Sequence, residues 1–592
     1  MAECRSKTSK GVGSLKPDTL VFILIAAWWV LNLLQAAFTG LADDEAYYWY
    51  FSQRLDWGYF DHPPMVALLV RLSSWLPGAL GVRFFSTLLQ PLYLFVFWHL
   101  VKPGQPSRRD AWLYVLVCFA QPLLQLYGFL ALPDAPLMFF SVIFLWAYRR
   151  FYRSGKLVDA LLLGCSIALL GYSKYHGALV VALVMLATPE VFRKRGLYVA
   201  GAVAIALLAP HLLWQQGHDW VSFRYHLSGR NAWEYRFSFT SEYLATVLVL
   251  FNPLLVYHVV KGFRKPSDVC DPLVRRLLVA IAAGFVLFFL VATLRGRVQP
   301  QWLLPVALSA AALAFWAGRE SRYVRAATAV CAVLFIVVRV LAAVNPIGLK
   351  GQLWEGDEPY RKVAAVANGR PVQFVGCYSF AAKYAYYTGN PAHCSSFFYS
   401  RSSQWQYDTA DRAFRGRDVV VLDLGDLNGK TVEMDAKRRC EYVEMANYQP
   451  TRELEAIPLE PLRASLRYLP RASAGKPADS LPPAAFRIAV VNPYPFDIVP
   501  DSAQPIMVRL CFQDAVNSAP SAAARLTDTL RAGDTTLITP AFRIPNSVKG
   551  GRNRCCLAIG YGRYAPAANS PCWDGLVTKD ADGLSFNIDS KL

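Results

Sequence analysis

The sequence predicts a multi-span α-helical membrane protein followed by a C-terminal outer region with an α/β part and a β-rich part. Three observations lead to this fold class. The chain of 592 residues is 54% hydrophobic, which is high for a soluble protein. The excess lies before about residue 345, in apolar runs of about 20 residues, the length that a spanning helix needs. Basic loops alternate with loops poor in Lys and Arg, as in multi-pass membrane proteins.

About eleven such runs can be placed in order. They lie near 19–38, 81–101, 111–130, 134–149, 157–173, 176–191, 197–213, 242–260, 276–294, 302–317 and 323–343. The first run is longer than a usual signal-peptide core and further spans follow it, so an uncleaved first span is favoured over a signal peptide. Basic residues precede the first run and follow every second run, which predicts a cytoplasmic N-terminus in the cell (inner or plasma) membrane. Segment 41–65 and everything after about 345 are then extracytoplasmic.

The formal net charge of +19 raises the question of a nucleic-acid partner. In the membrane part, Lys and Arg cluster in short loops between apolar runs, and neither zinc-finger spacing nor an RNA-binding aromatic signature is present. We therefore expect no nucleic acid among the partners. The histidines show no HExxH or other paired spacing, so no metal site is indicated, although a divalent metal ion is not ruled out by this argument.

After residue 345 the pattern changes to that of an outer, water-soluble region. PVQFVG, SFAAKYAYYTG, HCSSFF and DVVVLDLG read as alternating strand and helix, which predicts a small α/β domain. A Pro-, Ala- and Ser-rich stretch follows, and then FRIAVV, IMVRLCF and CCLAIGY predict a β-rich domain. The expected domains are 1–345, 346–462 and 480–592.

The chemistry is expected in segment 41–65, which we call the acid-rich segment. It begins with Asp43, Asp44 and Glu45 and ends with Tyr-Phe-Asp-His-Pro-Pro. Carboxylates at the mouth of a membrane span are costly unless they have a function. For Asp43 alone a solvated loop is a sufficient explanation. The pair Asp44-Glu45 is followed by Tyr and Trp residues that prefer the interface, and such an acid can act as a general base toward a hydroxyl.

The segment DDEAYYWYFSQRLDWGYFDHPPM resembles the first outer loop of the GT-C membrane glycosyltransferases of the protein O-mannosyltransferase and lipid A aminoarabinose transferase superfamily. Those proteins share an Asp-Glu pair after the first span and a Tyr-Phe-acid-basic-Pro-Pro element further along. LPDAPLMFF, GYSKYHGAL, HLLWQQGHDWVSFRYHL and RGRVQPQWLLP resemble later segments of the family in the same order. The resemblance covers roughly residues 20–345.

The resemblance implies a reaction. A sugar carried on a polyprenyl phosphate in the outer leaflet is passed, with inversion, to an acceptor hydroxyl on that side. The family's catalytic Asp corresponds to Asp44, and Glu45 either orients Asp44 or contacts the sugar. The expected partners are membrane lipid, the lipid-linked donor, and an acceptor that is a glycan, a lipid or a protein. The donor is a substrate, and no separate cofactor is implied.

The leaving phosphate needs positive charge to stabilise it. The candidates are His62, Lys174, Arg295 and Arg297. The alternative for the three long side chains is snorkelling to the interface. This chain has His62 where the aminoarabinose transferases carry Lys, so His62 either binds phosphate or packs the Pro-Pro turn.

Four more residues complete the expected substrate site: Tyr59, Asp61, Asp134 and Tyr175. Asp134 lies at a helix start, where an N-cap is the competing explanation.

The rival function is a membrane transporter or flippase for a lipid-linked sugar. Transporters usually contain internal repeats, and the two halves of this membrane region show no self-similarity.

Overall fold

The structure is a computed structural model that describes residues 15–229, 235–264, 270–395, 402–423, 429–434, 439–459, 484–485, 487–503, 505–513, 522–542, 551–561, 570, 573–580 and 583–588. The chain divides into two compact units, Met1–Trp354 and Glu355–Leu592. The first unit is helical and the second combines helices with sheets.

Sixteen helices are described in the first unit. They are α1 Pro17–Phe38, α2 Asp43–Gln53, α3 Met65–Ser73, α4 Leu80–Val101, α5 Arg108–Phe119, α6 Pro122–Leu126, α7 Asp134–Ser154, α8 Leu157–Ser173, α9 His176–Ala187, α10 Arg195–Gly217, α11 Val221–Arg224, α12 Phe237–Leu250, α13 Val256–Arg264, α14 Pro272–Ala292, α15 Leu304–Gly318 and α16 Arg322–Val344. Every apolar run expected from the sequence therefore contains helix, and the runs 111–130 and 242–260 are each divided between two helices.

Six helices of the described chain are long and apolar enough to cross a membrane, namely α1, α4, α10, α14, α15 with the turn before it, and α16. The protein is a multi-pass membrane protein. Other predicted spans are shorter or interrupted, so the full count of about eleven stays a prediction. Proline explains one interruption: Pro122 begins α6 directly after α5 ends, because it cannot donate the hydrogen bond that a continuous helix needs.

Small residues set the close packing of the bundle. In an 18-residue stretch of the turn-plus-helix segment Pro300–Gly318, 83% of the residues are buried. In α16 the share is 22%, and this helix exposes apolar side chains. A Cβ on Gly262 of α13 would lie 2.6 Å from the carbonyl oxygen of Leu313 on α15. The backbones can approach this closely only because glycine has no side chain.

The acid-rich segment differs from a simple loop because its first half is helix α2, which begins at Asp43. Three carboxylates in the first turn favour this helix start, since the N-terminal end of a helix carries partial positive charge. The apolar segment 63–75 carries Arg71 on one side, which predicts that it lies along the membrane interface rather than spanning. It contains the amphipathic helix α3, with Leu68 and Leu72 exposed. Its placement along the interface stays a prediction.

The second unit begins with α17 Glu358–Ala367 and the α/β arrangement expected from the sequence. Strands β1 Val372–Val375, β2 Ala392–Ser395, β3 Val419–Asp423, β4 Lys430–Glu433 and β5 Arg439–Met445 form one sheet in the order β2-β1-β3-β5-β4, with helix α18 Tyr378–Thr388 between β1 and β2. The first three strands are parallel, and β5 is antiparallel to β3 and β4. This confirms the α/β prediction.

The β-rich part follows as antiparallel sheets. Its strands are β6 Glu455–Pro458, β7 Ala484–Ala485, β8 Ile488–Val491, β9 Ile506–Gln513, β10 Ala522–Arg525, β11 Thr535–Ile538, β12 Ala541–Phe542, β13 Gly551–Tyr561, β14 Trp573–Asp580 and β15 Gly583–Ile588. The sheet orders are β10-β9-β13-β14-β15, β11-β8-β6 and β12-β7. One buried cluster contains Val419 of β3 together with Ile488 and Leu510 of the later sheets. The predicted linker at 463–479 lies outside the described residues.

Candidate active site

Glu45 is held by a buried network at the start of α2. Its carboxylate accepts hydrogen bonds from Nε and Nη2 of Arg83 at 2.7 and 2.5 Å. It also accepts the backbone N–H groups of Ala42 at 2.9 Å and Ala131 at 2.8 Å. Both Glu45 and Arg83 have 0% exposed side chains. With its two oxygens engaged in this way, Glu45 fits the orienting role better than a contact with a sugar.

Arg83 on α4 is the functional residue that sequence reasoning missed. Its remaining N–H groups donate to the carbonyl oxygens of Ala36, Thr39 and Gly40 and to the Thr39 hydroxyl. Arg83 therefore ties the end of α1 to the start of α2. The available signal was an arginine inside an apolar run, which is costly in a membrane unless it is paired.

Asp44 differs from Glu45 in being only half-buried. The phenol of Tyr127 is close enough to interact electrostatically with both Asp44 and Asp134. The same hydroxyl donates to Oε1 of Gln301 at 3.2 Å. Asp44, Asp134 and the turn before α15 thus border a common region, and Asp44 is the accessible carboxylate of the adjacent pair.

Asp134 and Lys174 form a buried ion pair. The Lys174 Nζ lies 2.7 and 2.8 Å from the two carboxylate oxygens of Asp134, and the side chains are 3% and 5% exposed. The pair joins the start of α7 to the end of α8. The N-cap alternative for Asp134 is not what the structure has, because Asp134 is the first residue of α7 and its carboxylate pairs with Lys174.

The far end of the acid-rich segment is held through its backbone. Nδ1 of His211 donates to the carbonyl oxygen of Trp57 at 2.7 Å. The Ser222 hydroxyl donates to the carbonyl of Tyr59 at 2.9 Å. Nε2 of His226 donates to the carbonyl of Asp61 at 2.8 Å. We call these three bonds, to the carbonyls of residues 57, 59 and 61, the carbonyl zipper.

Tyr59 is buried at the far end of the acid-rich segment and forms hydrogen bonds with the backbone of that segment. Its hydroxyl bonds to the carbonyls of Phe51 and Arg54 at 3.1 and 3.0 Å and accepts the N–H of Asp56 at 3.2 Å. Its ring stacks on Phe51 at 4.2 Å. Burial raises the pKa of Tyr59 above its ordinary value, so the phenol stays protonated. These contacts leave Tyr59 2% exposed and favour a role in shaping the segment.

Asp61 and His62 lie beside the aromatic end of the site. Asp61 is 1% exposed and interacts electrostatically with Tyr175. The ring of His62 lies 5.5 Å from Tyr48 and 6.1 Å from His226, measured between centroids. The second of these contacts brings His62 next to the residues that line the cavity described next.

An open cavity of about 360 Å³ lies between α9, α11, α14 and the chain that follows α14. We call it the arginine cavity. Tyr175, Arg295 and Arg297 line it, together with aromatic and aliphatic side chains, among them Phe289 and Trp302. Arg297 is 71% exposed and its Nε lies 2.7 Å from an oxygen of Glu242. The lining is mostly apolar with two cations, which suits a lipid that carries an anionic group.

Tyr175 connects the cavity to the carbonyl zipper. Because Nδ1 of His211 donates to Trp57, its Nε2 is the acceptor for the Tyr175 hydroxyl at 3.3 Å. Gln215 donates to the same hydroxyl at 2.9 Å. Tyr175 at the cavity wall is thereby linked by hydrogen bonds to the acid-rich segment. In the part of the chain that the structure describes, no group of three or more His, Cys, Asp or Glu side chains is arranged to hold a metal ion.

Comparison with known proteins shows what this chain is similar to. Residues 61–214 match the family described as dolichyl-phosphate-mannose-protein mannosyltransferase. The chain is related to the GT-C membrane glycosyltransferases. It is 25% identical over 316 residues to the lipid A galacturonosyltransferase RgtD of Rhizobium johnstonii, and 29% identical over 215 residues to the lipopolysaccharide core galacturonosyltransferase RgtA of the same organism. The matches cover 50% and 33% of this chain, and 64% and 42% of those relatives' own lengths.

Solved structures agree with this relationship at the level of fold. Crystal structures of ArnT from Cupriavidus metallidurans, in the apo state and bound to undecaprenyl phosphate, superpose with TM-scores of 0.53 and 0.51 at 14% identity. Each alignment covers 72% of this chain and 98% of the other. The GT-C relationship expected from the acid-rich segment is confirmed.

Proposed function

We propose that the protein is a polyprenyl-phosphate-sugar-dependent glycosyltransferase. It moves a sugar, with inversion, to an acceptor hydroxyl on the extracytoplasmic side, and Asp44 is the general base. One observation carries the proposal. Of two adjacent carboxylates, Glu45 is locked by Arg83, while its neighbour Asp44 is accessible in the same unit as an apolar cavity lined by two arginines.

In the proposed step, Asp44 accepts the proton of the acceptor hydroxyl. The hydroxyl oxygen attacks the anomeric carbon, and the bond from that carbon to the phosphate oxygen breaks with its electron pair. Polyprenyl phosphate leaves as an anion, so it needs positive charge rather than a proton. Arg295 and Arg297 provide that charge in the arginine cavity, whose apolar lining accommodates the start of the polyprenyl chain.

The supporting residues divide into two groups. Glu45, Tyr59, Asp134 and Lys174 hold the elements in place, since their polar atoms are engaged with the protein. Asp61, His62 and Tyr175 lie between the acid-rich segment and the cavity and are proposed to border the sugar. The orientation predicted by the basic loops puts this side of the bundle outside the cell.

The names of the curated relatives suggest the substrates. RgtD and RgtA are galacturonosyltransferases that act on lipid A and the lipopolysaccharide core. We therefore propose a uronic acid as the sugar and a lipopolysaccharide component as the acceptor, with undecaprenyl phosphate as the carrier that one ArnT structure holds.

The experiment uses the purified full chain in detergent with undecaprenyl-phosphate galacturonic acid and lipid A. A transferase releases free undecaprenyl phosphate only when the acceptor is present, and mass spectrometry measures both products. The flippase alternative predicts donor movement across a vesicle membrane with no undecaprenyl phosphate released. That second outcome would overturn the proposal.

A further inference from the structure

A second buried arginine lies outside the machinery described so far. Arg339, on α16, is 5% exposed. Its Nη1 donates to Oδ1 of Asn32 at 2.8 Å and to Oε1 of Gln125 at 3.2 Å. Its Nε and Nη2 approach Oε1 of Gln35 at 3.5 Å and the carbonyl of Leu31 at 3.4 Å. Within the described residues these acceptors are all uncharged oxygens.

Burying an arginine among uncharged groups is unfavourable in free energy. The guanidinium keeps its charge at any accessible pH, and a buried cation without a carboxylate partner depends on hydrogen bonds and π contacts for compensation. Arg83, the other buried arginine in the described part of the bundle, is compensated by Glu45. Burial of Arg339 is therefore unfavourable for folding and points to another role for this side chain.

Both arginines contact one aromatic ring. The Cζ atoms of Arg83 and Arg339 lie 5.7 and 5.6 Å from the ring centroid of Phe129, within cation–π distance. Phe129 is 4% exposed and belongs to residues 127–133, the connection between α6 and α7. The same connection provides the Ala131 N–H to Glu45 and the phenol of Tyr127 beside Asp44. Arg339 is thus linked to the proposed base, Asp44, through the 127–133 connection.

Side-chain amides contact the same connection and helix α6, which precedes it. Asn32, which binds Arg339, also donates to Oε1 of Gln90 at 2.5 Å, and Gln90 donates to the carbonyl of Leu124 at 2.8 Å. A Cβ on Gly128 would lie 2.5 Å from the amide of Gln90. A side chain at position 128 would displace the Gln90 amide, so the connection and this amide are closely packed.

We infer that Arg339 is a positioning residue for sugar transfer. By contacting Phe129 opposite the Asn32 and Gln125 amides, it fixes the 127–133 connection. That connection, with Arg83, fixes Glu45 and so the direction of Asp44. The inference rests on the proposed function, and it adds the last long helix of the membrane unit to the parts that control the rate.

The test compares Arg339→Met, Arg339→Lys and, as the matched control, Arg322→Met, whose arginine is exposed on the same helix. Transfer is measured per folded molecule, with the melting temperature recorded for each variant. We expect Arg339→Met to lower kcat at least tenfold while KM for the donor stays within twofold. Arg339→Lys should recover part of kcat because it keeps the cation near Phe129, and Arg322→Met should match the wild type.

A purely structural arginine gives a different result: the melting temperature falls in Arg339→Met, but kcat per folded molecule does not change. A double-mutant cycle with Phe129→Leu adds a second criterion. If the arginine acts through the ring, Arg339→Met costs less kcat in the Phe129→Leu background, and strictly additive losses overturn the inference. A wild type that releases no undecaprenyl phosphate refutes the proposed function itself, whereas an active wild type with an equally active Arg339→Met refutes only this inference.

Discussion

The two ends of the acid-rich segment are held in opposite ways. At the near end, a charged side chain is buried: Glu45 binds Arg83 and two backbone N–H groups. At the far end, backbone carbonyls accept hydrogen bonds from His211, Ser222 and His226. The position of the near end therefore depends on which residues carry charge. The position of the far end depends on close packing and on hydrogen-bond donors from another part of the chain.

The largest expected effect tests the charged end. Arg83→Met leaves Glu45 buried without its counter-charge, which costs about 3–5 kcal/mol of folding free energy, and transfer should be lost. Thermal unfolding in detergent and transfer per folded molecule measure the two effects. Arg71→Met, at an exposed position on α3, is the control. A melting temperature equal to the wild type in Arg83→Met would show that the near end is not held by charge.

The second prediction tests whether a buried ion pair also holds α7 and α8 together. Asp134→Asn leaves Lys174 buried and unpaired, with an expected loss of about 2–3 kcal/mol. This is smaller than for Arg83→Met, because that substitution also removes the hydrogen bonds from Arg83 to the carbonyls of Ala36, Thr39 and Gly40. The asparagine in Asp134→Asn keeps an oxygen that can accept a hydrogen bond from Lys174. Urea unfolding of Asp134→Asn and of Asp134→Asn with Lys174→Met tests it. The double variant should be the more stable of the two, and the opposite order contradicts the pairing.

The third effect tests shape at the far end. A Cβ on Gly58 would lie 2.4 Å from the Trp214 ring, so Gly58→Ala must displace the segment or the indole. We expect a loss of about 1–3 kcal/mol and a clear fall in transfer rate. Gly217→Ala has open space around the new methyl group and serves as the control. Wild-type stability in Gly58→Ala would mean that the far end is not tightly packed.

The smallest effect removes one bond of the carbonyl zipper. Ser222→Ala deletes the donor to Tyr59 and is expected to cost about 1 kcal/mol, with a modest loss of transfer. Ser241→Ala, at an exposed serine, is the comparison. If Ser222→Ala is as damaging as Arg83→Met, the two ends are not held differently after all.

The sequence predicted the near end better than the far end, and the reason is physical. Asp44 and Glu45 are adjacent in an unusual place, so their chemistry is visible in a short motif. Arg83 is 38 residues from Glu45, and only the fold shows that they meet. A hint was present, because Arg83 and Arg339 both interrupt apolar runs.

The carbonyl zipper could not be predicted from residue types. Its acceptors are backbone atoms, which every residue has, and its donors come from residues more than 150 positions later in the chain. Tyr59 and Lys174 were expected at the substrate site, which stays a prediction, and their engaged polar atoms became visible only in three dimensions. The apolar runs, by contrast, each carry their own periodicity and length, so every one of them contains helix.

The central claim is that Asp44 is the base and that its neighbours only hold it in place. The most direct measurement compares Asp44→Asn with Asp43→Asn in the undecaprenyl phosphate release assay, after both variants are shown to melt at the wild-type temperature. General-base catalysis contributes about 10²–10⁴ in rate, so Asp44→Asn should lose at least a hundredfold and Asp43→Asn should stay close to the wild type. A folded Asp44→Asn that transfers sugar at the wild-type rate would contradict the account.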